Sequence, residues 1–561
     1  MKHIFNTIVV LQIFIFSTYA QQPKWFKKAA KAQMTIITYD KGGNILRSGQ
    51  GFFIDEQGTA VADYNLFKEA HAARVVTADG KEFPVSTING ASSLYDVLKF
   101  KVESKKKTPF LPLTTRKGTP KEKVYILPYP THEKRLCMSD TLTEIQTFGE
   151  KYEYYTLTKK TADMFVSSPV MNEEGEVMAL VQRNAGTATT SYAIDVRYVA
   201  DMNITGLSAG NSDLSKIHIR KALPTDLSEV NTFLFMIAGR CDSAEYHAYL
   251  NNFVETYPDS SMTYTKRAEF YINHNNYELA EIDLDKAIEL DGENAANYYT
   301  YGKLLYDLNL KPDYQTYKDW DLNKSLQLIQ KAHTLQPQPF YSLQEAKTLF
   351  ALKEYELAHD KFLSLTTTNM RSADLFLYAA ECKSMAGADT LTIFALQDSA
   401  VACYNKPYPA EAATALVRRA NTLIQLGRHR NAVADLYEYE RLISGHLPAT
   451  FYYGRFLSEM KCRMYQQALE DIDRAIRLSP NESLYHLQRA VLLYKVGELE
   501  EAIRSARKAT EISPDDGEAY RILGICLIED NQHEKGQECL KKAILLGDEA
   551  AKRLLQDIEN K

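Results

Sequence analysis

The sequence lacks several features that would define a function outright. Its seven cysteines never form a CxxC pair, so neither a thiolate zinc site nor a thioredoxin-type redox motif is predicted. The glycine-rich phosphate-binding patterns GxxxxGK[ST] and GxGxxG are both absent, which leaves no indication of a nucleotide cofactor. Acidic residues number 72 against 66 basic residues, and the net charge of −6 argues against broad nucleic-acid binding.

Long apolar runs are also missing after the first residues. No later stretch reaches the roughly 18 apolar residues that a membrane-spanning helix needs, so no membrane span is expected. Residues 1–20 combine a basic start at Lys2, an apolar core from Ile8 to Phe16, and small residues at Thr18 and Ala20. This order of features is typical of a secretory signal peptide. We therefore predict an exported protein, with a bacterial periplasm as its compartment.

Internal repetition is what the sequence has in abundance. Between Ala449 and Asp548, a set of small and apolar residues recurs every 34 residues, beginning at Ala468, Ala502 and Gly536. A proline closes each of the first two sets, and proline cannot continue a helix. The pattern resembles the tetratricopeptide repeat, a pair of antiparallel helices that meet at small residues. Several such pairs must stack to bury their apolar faces.

The resemblance implies an all-α solenoid in the second half of the chain. We expect repeats over residues 261–548 and a polar-faced capping helix over residues 549–561. Helical periodicity also predicts a helical connector over residues 214–260. The preceding residues 204–213 are small and polar, a composition typical of a linker.

Residues 32–203 have a different texture. Short alternating runs, such as those at 51–54 and 97–100, are divided by turn signals such as Asp79-Gly80. Many short strands in succession predict a barrel or sandwich domain.

Seven segments of this region, taken in order, resemble the trypsin-like serine proteases of the bacterial high-temperature-requirement kind. Residues 49–55 (GQGFFID) are similar to a strand of that family, residues 78–84 (ADGKEFP) to its hairpin, and residues 168–177 (SPVMNEEGEV) to the strand pair after its nucleophile. The resemblance implies an N-terminal trypsin-like double β-barrel. The fold class predicted for the whole chain is therefore multidomain β + α.

The residues that carry catalysis in this family are replaced. A hydrolytic triad needs a nucleophile, a base that removes its proton and a carboxylate that orients the base. At the matching positions, Asn65 stands for the histidine, Leu94 for the aspartate and Val166 for the serine. Met164 and Ser167 replace the two glycines around the nucleophile. The resemblance thus implies a barrel domain without its triad.

A shifted triad is the alternative. It would use Ser167, or its neighbour Ser168, as nucleophile, His71 as base and Asp96 as orienting carboxylate. His71 lies six residues beyond the expected base, on a segment that reads as a short helix facing solvent. The competing hypothesis is therefore an active trypsin-like serine endopeptidase whose repeats recruit protein substrates.

The first helix of each tetratricopeptide unit lines a concave groove in that family. Projecting these helices gives a mostly apolar and aromatic groove, formed by Tyr453, Leu457, Leu487, Val491, Tyr494, Arg521 and Ile525. A groove of this kind suits a helix or an extended peptide from a protein partner.

These observations together predict an exported, non-catalytic protein-binding or scaffold protein, built from a pseudoprotease domain and tetratricopeptide repeats. The expected partner is a protein or peptide, and neither a cofactor nor a metal is expected. A third hypothesis is a structural scaffold in which the barrel domain only solubilises or caps the array. The sequence gives no indication of the oligomeric state.

Overall fold

The structure is a computed structural model that describes residues 23–104, 106–127, 137–184, 189–443 and 445–559. It divides into two compact units, Met1–Pro258 and Asp259–Lys561. The predicted signal peptide, residues 1–20, lies outside the described residues. Within the described ranges, no helix combines the length and the apolar character needed to cross a membrane.

Two closed six-stranded barrels form most of the first unit, which confirms the predicted double β-barrel. The first barrel closes in the order β1-β2-β3-β6-β5-β4 and the second in the order β10-β11-β12-β9-β8-β7. The strands of the first barrel are β1 (Gln33–Tyr39), β2 (Ile45–Phe53), β3 (Thr59–Ala62), β4 (Ala72–Thr77), β5 (Glu82–Ser92) and β6 (Val97–Val102). Those of the second are β7 (Lys123–Ile126), β8 (Met138–Phe148), β9 (Tyr152–Leu157), β10 (Pro169–Met171), β11 (Val177–Val181) and β12 (Ser191–Asp195).

A shared apolar core joins the two barrels. Phe52 and Val97 of the first barrel pack in one cluster with Val177 and Ile194 of the second. Phe26, which precedes the first strand, is buried in the same cluster. Strand β11 is buried along its whole length because some of its side chains face this shared core and the others face the interior of the second barrel. The core fixes the two barrels against each other and so determines the cleft between them.

Short helices complete the first unit. They are α1 (Phe26–Ala29), α2 (Tyr64–Phe67), α3 (Val196–Asp201), α4 (Ser212–Ser215), α5 (Leu227–Ala238) and α6 (Ser243–Thr256), with 3₁₀ turns at Ala30–Ala32, Asp163–Phe165 and Gly206–Gly210. Residues 204–213, expected as a linker, thus include a 3₁₀ turn that packs on α5. A side chain at Gly206 would come within 2.9 Å of Thr232, so close packing explains this glycine better than flexibility does.

The second unit is helical, as the repeat pattern predicts. Its described residues form eight consecutive helix pairs and a final helix. The helices are α7 (Ser261–Asn273), α8 (Tyr277–Leu290), α9 (Ala295–Asn309), α10 (Leu322–Leu335), α11 (Pro339–Ala351), α12 (Tyr355–Leu365), α13 (Ala373–Met385), α14 (Thr390–Val401), α15 (Ala413–Gln425), α16 (His429–Leu442), α17 (Ala449–Lys461), α18 (Tyr465–Leu478), α19 (Ser483–Val496), α20 (Leu499–Ile512), α21 (Gly517–Glu529), α22 (His533–Leu545) and α23 (Glu549–Glu559). A 3₁₀ turn, Ala410–Ala412, precedes α15.

Small residues mark the places where paired helices approach most closely. Gly524 on α21 faces Gly536 on α22, and a Cβ atom at Gly524 would lie 2.9 Å from the carbonyl oxygen of Gly536. The same atom would lie 3.0 Å from Cγ of Leu540. A backbone oxygen cannot turn aside as the end of a flexible side chain does, so the helices would have to separate.

We expect Gly524→Ala to lower the free energy of unfolding of the second unit by about 1–3 kcal/mol, because the added methyl group overfills this contact. Urea unfolding followed by circular dichroism measures the change. Gly454→Ala is the matched control, since Gly454 lies inside α17 but has no atom within 4 Å of a built Cβ. It should be neutral or stabilise by up to about 1 kcal/mol. Equal destabilisation by the two substitutions would contradict this explanation.

In several of the repeats, an ion pair joins the first helix to the second. In each case an arginine on the first helix binds an aspartate on the second helix, 16 residues later in the chain. The pairs are Arg267–Asp283 at 2.8 Å, Arg419–Asp435 at 2.7 Å and Arg455–Asp471 at 2.6 Å. Arg455 is fully buried. The spacing of 16 residues between these arginines and aspartates can also be read directly from the sequence.

Candidate functional site

A cavity of about 700 Å³ opens between the two barrels. Arg47, Gln50 and Asn65 line it from the first barrel, and Val166 and Arg183 line it from the second. Asn65 and Val166, two of the three residues predicted to stand at triad positions, therefore lie in this cleft. The cleft is the place at which chemistry or binding by the barrel domain would occur.

Asp96 binds Asn65, the residue predicted to stand at the position of the family's histidine. The backbone N–H and the side-chain amide of Asn65 each donate to Oδ1 of Asp96, and both distances are 2.9 Å. Leu94, in contrast, lies in the turn before β6 with 79% of its surface exposed. The assignment of Leu94 to the position of the orienting carboxylate is thus corrected: the turn, in which Asp96 has a φ of +45°, brings Asp96 against residue 65.

Ser167 and Asp63 form a buried link between the barrels. The hydroxyl of Ser167 donates to Oδ2 of Asp63 at 3.1 Å, and only 3% of the Ser167 surface is exposed. Asp63 also caps α2 by accepting the N–H of Leu66 at 2.8 Å. Burial raises the pKa of the Asp63 carboxyl, and the nearby charge of Asp96 raises it further. Ser167 is therefore engaged inside the protein and is not among the residues that line the cleft.

The backbone N–H groups of Val166 and Ser167 are both engaged in hydrogen bonds within the protein. In the serine protease mechanism, the N–H of the nucleophile's own residue helps to bind the negatively charged oxygen of the intermediate. Here the N–H of Val166 donates to the carbonyl oxygen of Asp163 at 3.2 Å. The N–H of Ser167 donates to the carbonyl oxygen of Val181 at 3.0 Å. Both groups are used within the fold.

The proposed shifted triad is not assembled. His71 lies at the edge of the first barrel, where its N–H donates to the carbonyl oxygen of Tyr39 and its ring stacks on His218 at 4.2 Å. None of the described residues that line the cleft is a histidine. The structure thus pairs Asp96 with Asn65 and Ser167 with Asp63, and it places His71 with neither.

The predicted groove residues of the array fall into three groups. Leu457 and Tyr494 are 43% and 38% exposed. Four others are half-buried, namely Tyr453, Val491, Arg521 and Ile525. Leu487 is only 2% exposed and packs on Ala509 and Ala519 of the neighbouring helices, so its assignment to the groove is corrected. It belongs to the core because its face of α19 turns toward α20 and α21.

Arg521 is held by carboxylates of its own chain. Its Nε lies 2.7 Å from Asp548 and its Nη2 lies 2.9 Å from Glu518. Asp548 also accepts the N–H of Ala551 at the start of α23. The guanidinium therefore connects α21 to the start of the final helix.

Aromatic side chains on earlier first helices were not identified from the sequence. Phe340 on α11 is exposed and contacts Tyr299 of α9 with ring centroids 5.3 Å apart. Tyr378 on α13 is also exposed and stacks on Phe362 at 5.1 Å. These repeats are irregular in sequence. Their helical register, and therefore the exposure of these two side chains, could not be inferred from the repeat pattern.

The barrel domain and the helical array each match a known family. A family model described as a trypsin-like peptidase domain matches residues 49–180, and one described as a tetratricopeptide repeat matches residues 263–294 and 485–516. Among curated proteins, the chain is similar to small glutamine-rich tetratricopeptide repeat-containing protein 2 of Mycosarcoma maydis, with 32% identity over 85 residues, which is 15% of this chain and 24% of that protein. It is also similar to sperm-associated antigen 1 of Mus musculus, with 30% identity over 105 residues, which is 19% of this chain and 11% of that protein.

Among solved structures, the chain is similar to a serine endoprotease from Yersinia pestis, with 15% identity and a TM-score of 0.27 over 31% of this chain and 62% of that chain. The chain thus spans about a quarter or less of these curated relatives and less than two thirds of this structure. The barrels, the helix pairs and the two family matches agree: the chain combines a trypsin-like peptidase domain with tetratricopeptide repeats.

Proposed function

We propose that this protein is an exported, non-catalytic protein-binding protein. The observation that carries the proposal is the state of the cleft, in which Asn65 stands beside Asp96 where a catalytic base would be needed. An amide has no basic nitrogen, so it cannot remove the proton of a nucleophile.

Nucleophilic attack is opposed by geometry as well. Acyl transfer requires the attacking oxygen to come within about 3–3.5 Å of a substrate carbonyl. Ser167 is buried and donates to Asp63, and Ser168 is fully buried and accepts a hydrogen bond from Gln50 at 3.0 Å. The N–H of Val166, one of the two donors that an oxyanion would need, is also engaged within the fold.

Binding of protein partners follows from the repeats, which imply an interaction scaffold. We assign the binding surface to Tyr453, Leu457, Val491, Tyr494 and Ile525, with Arg521 at its end and with Leu487 beneath it in the core. An apolar and aromatic surface across successive helices suits the apolar face of a helix or an extended peptide.

Export is supported by the composition of residues 1–20 and is compatible with the cysteines. All seven cysteines are free in the structure. Burial raises the pKa of Cys137, Cys241, Cys382 and Cys526 to about 11. These four thiols hold little thiolate and therefore react slowly.

Affinity capture with the full-length protein tests whether the groove binds a partner protein and whether that partner is left uncleaved. We expect Leu457→Glu to reduce recovery of the specific partner by about tenfold or more, because it places a charge in an apolar contact. The matched control is Ile282→Glu on α8, the second helix of its pair, where the side chain is also exposed (58%, against 43% for Leu457). The captured partner should stay full-length during long incubation. Partner retention by Leu457→Glu would contradict the groove assignment, and cleavage of the partner would favour the active endopeptidase.

A further inference from the structure

The cleft between the barrels carries unused positive charge. Arg47 and Arg183 both line it. Arg47 is anchored, since its Nη1 donates to the carbonyl oxygen of Lys68. The exposed Arg183 has no hydrogen bond or ion pair with any residue that the structure describes, and it acts on Asp63 only through space. A guanidinium offers five N–H donors, so Arg183 is available to a ligand.

Two carboxylates also belong to the lining, and they differ in their exposure. Asp63 is buried, and its oxygens accept from Leu66 and Ser167. The same burial raises the pKa of the Asp63 carboxyl. The other carboxylate in the lining, that of Asp163, is exposed. The carboxylate of Asp63 is thus committed to the fold, whereas the guanidinium of Arg183 is exposed and has no hydrogen bond or ion pair among the described residues.

The remaining lining combines apolar side chains with the amides of Gln50 and Asn65 and the hydroxyls of Thr35 and Ser48. Met164 is exposed beside Val166, and Leu66 lies on the opposite wall. A volume of about 700 Å³ lies within the range of sites that enclose small ligands or a short stretch of peptide. A partly apolar cleft with a free guanidinium favours a peptide segment that has an acidic side chain among apolar ones.

We propose that this cleft binds, without cleaving it, an extended segment of a partner protein that carries an aspartate or glutamate, and that Arg183 binds the carboxylate. The proposal rests on the proposed function, because a segment that is held but not hydrolysed requires the inactive state described above. The cleft would then be a second binding surface, separate from the groove of the array.

The test is affinity selection from a phage-displayed library of random peptides with the full-length protein. Wild-type protein should enrich peptides with Asp or Glu over the unselected library. Arg183→Ala should weaken binding of a selected acidic peptide about tenfold, the value of one charge-assisted hydrogen bond. Arg183→Glu should reverse the preference toward Lys and Arg. Arg74→Ala is the matched control, because Arg74 is an exposed arginine on β4 outside the cleft, and it should leave the selection unchanged.

Each outcome decides the matter. Enrichment that is reversed by Arg183→Glu supports the proposal. No enrichment of acidic peptides by the wild-type protein, or the same enrichment by Arg183→Ala, overturns it. Those results leave the proposed function intact, since partner capture by the array and the absence of cleavage are measured separately. Cleavage of the selected peptides would instead overturn the proposed function.

Discussion

Replacing Arg455 with alanine should lower the free energy of unfolding of the second unit by about 3–5 kcal/mol. Arg455 is fully buried between α16, α17 and α18. Its Nε lies 2.6 Å from Asp471, its Nη1 lies 2.7 Å from Glu440, and its guanidinium lies 4.0 Å from the ring centroid of Tyr437. Removing the cation leaves the carboxylate of Asp471 buried without its partner, which costs far more than the loss of a surface pair.

Urea unfolding monitored by circular dichroism gives the change in stability. The matched control is Arg504→Ala, since Arg504 pairs with Glu501 on the exposed face of α20. Exposed pairs contribute little, so the control should change stability by no more than about 0.5 kcal/mol. If both substitutions had the same effect, the buried cluster would not be a source of stability.

Glu459→Gln should remove a pH dependence that the wild-type protein shows between about pH 4.5 and about pH 7. Glu459 is fully buried, one of its oxygens accepts the Tyr437 hydroxyl at 2.7 Å, and the other has no hydrogen bond within the described structure. Arg455 is 3.9 Å away and already bound to two other carboxylates. Burial therefore raises the pKa of Glu459 to about 7.

The neighbouring groups adjust this value in both directions. The hydrogen bond from Tyr437 and the charge of Arg455 lower the pKa of Glu459, whereas the charges of Asp471 and Glu470 raise it. The net shift is upward, from the ordinary value of 4.5. The folded state therefore holds a proton that the unfolded state releases. The stability from this proton is fully present below pH 4.5 and is lost as the pH rises to about 7.

The size of the effect follows from the shift. At about 1.4 kcal/mol for each pKa unit, the wild-type protein should lose about 3 kcal/mol relative to Glu459→Gln across this range. Unfolding free energies at a series of pH values measure the difference. Glu500→Gln, an exposed carboxylate on α20, is the control and should follow the wild-type curve. A constant difference between wild type and Glu459→Gln would show that Glu459 does not titrate there.

The period of 34 residues was enough to predict the stacked helix pairs of the second unit. Small residues repeating every 34 positions predict helix pairs, and a Cβ atom at Gly524 or at Gly536 would lie only 2.9 Å from the carbonyl oxygen of the other glycine. Leu487 shows the limit of this reasoning. One residue along a helix turns the side chain by about 100°, so a small error of register exchanges groove and core.

The barrel site was predicted in part. The matched segments singled out Asn65 and Val166 as triad positions, and both residues line the cleft. Asp96 was missed as the partner of Asn65 because its place depends on the backbone of a turn, which a segment match does not describe. The hydrogen bond between Ser167 and Asp63 joins residues 104 positions apart, and no local pattern indicates it.

Labelling of the purified full-length protein with a fluorophosphonate probe, read by intact mass, tests most directly whether the cleft is inactive. Such probes react only with a serine that is accessible and activated. We predict no adduct, because Ser167 and Ser168 are buried and no histidine is among the described residues lining the cleft. An adduct that disappears in Ser167→Ala or Ser168→Ala would contradict the non-catalytic function.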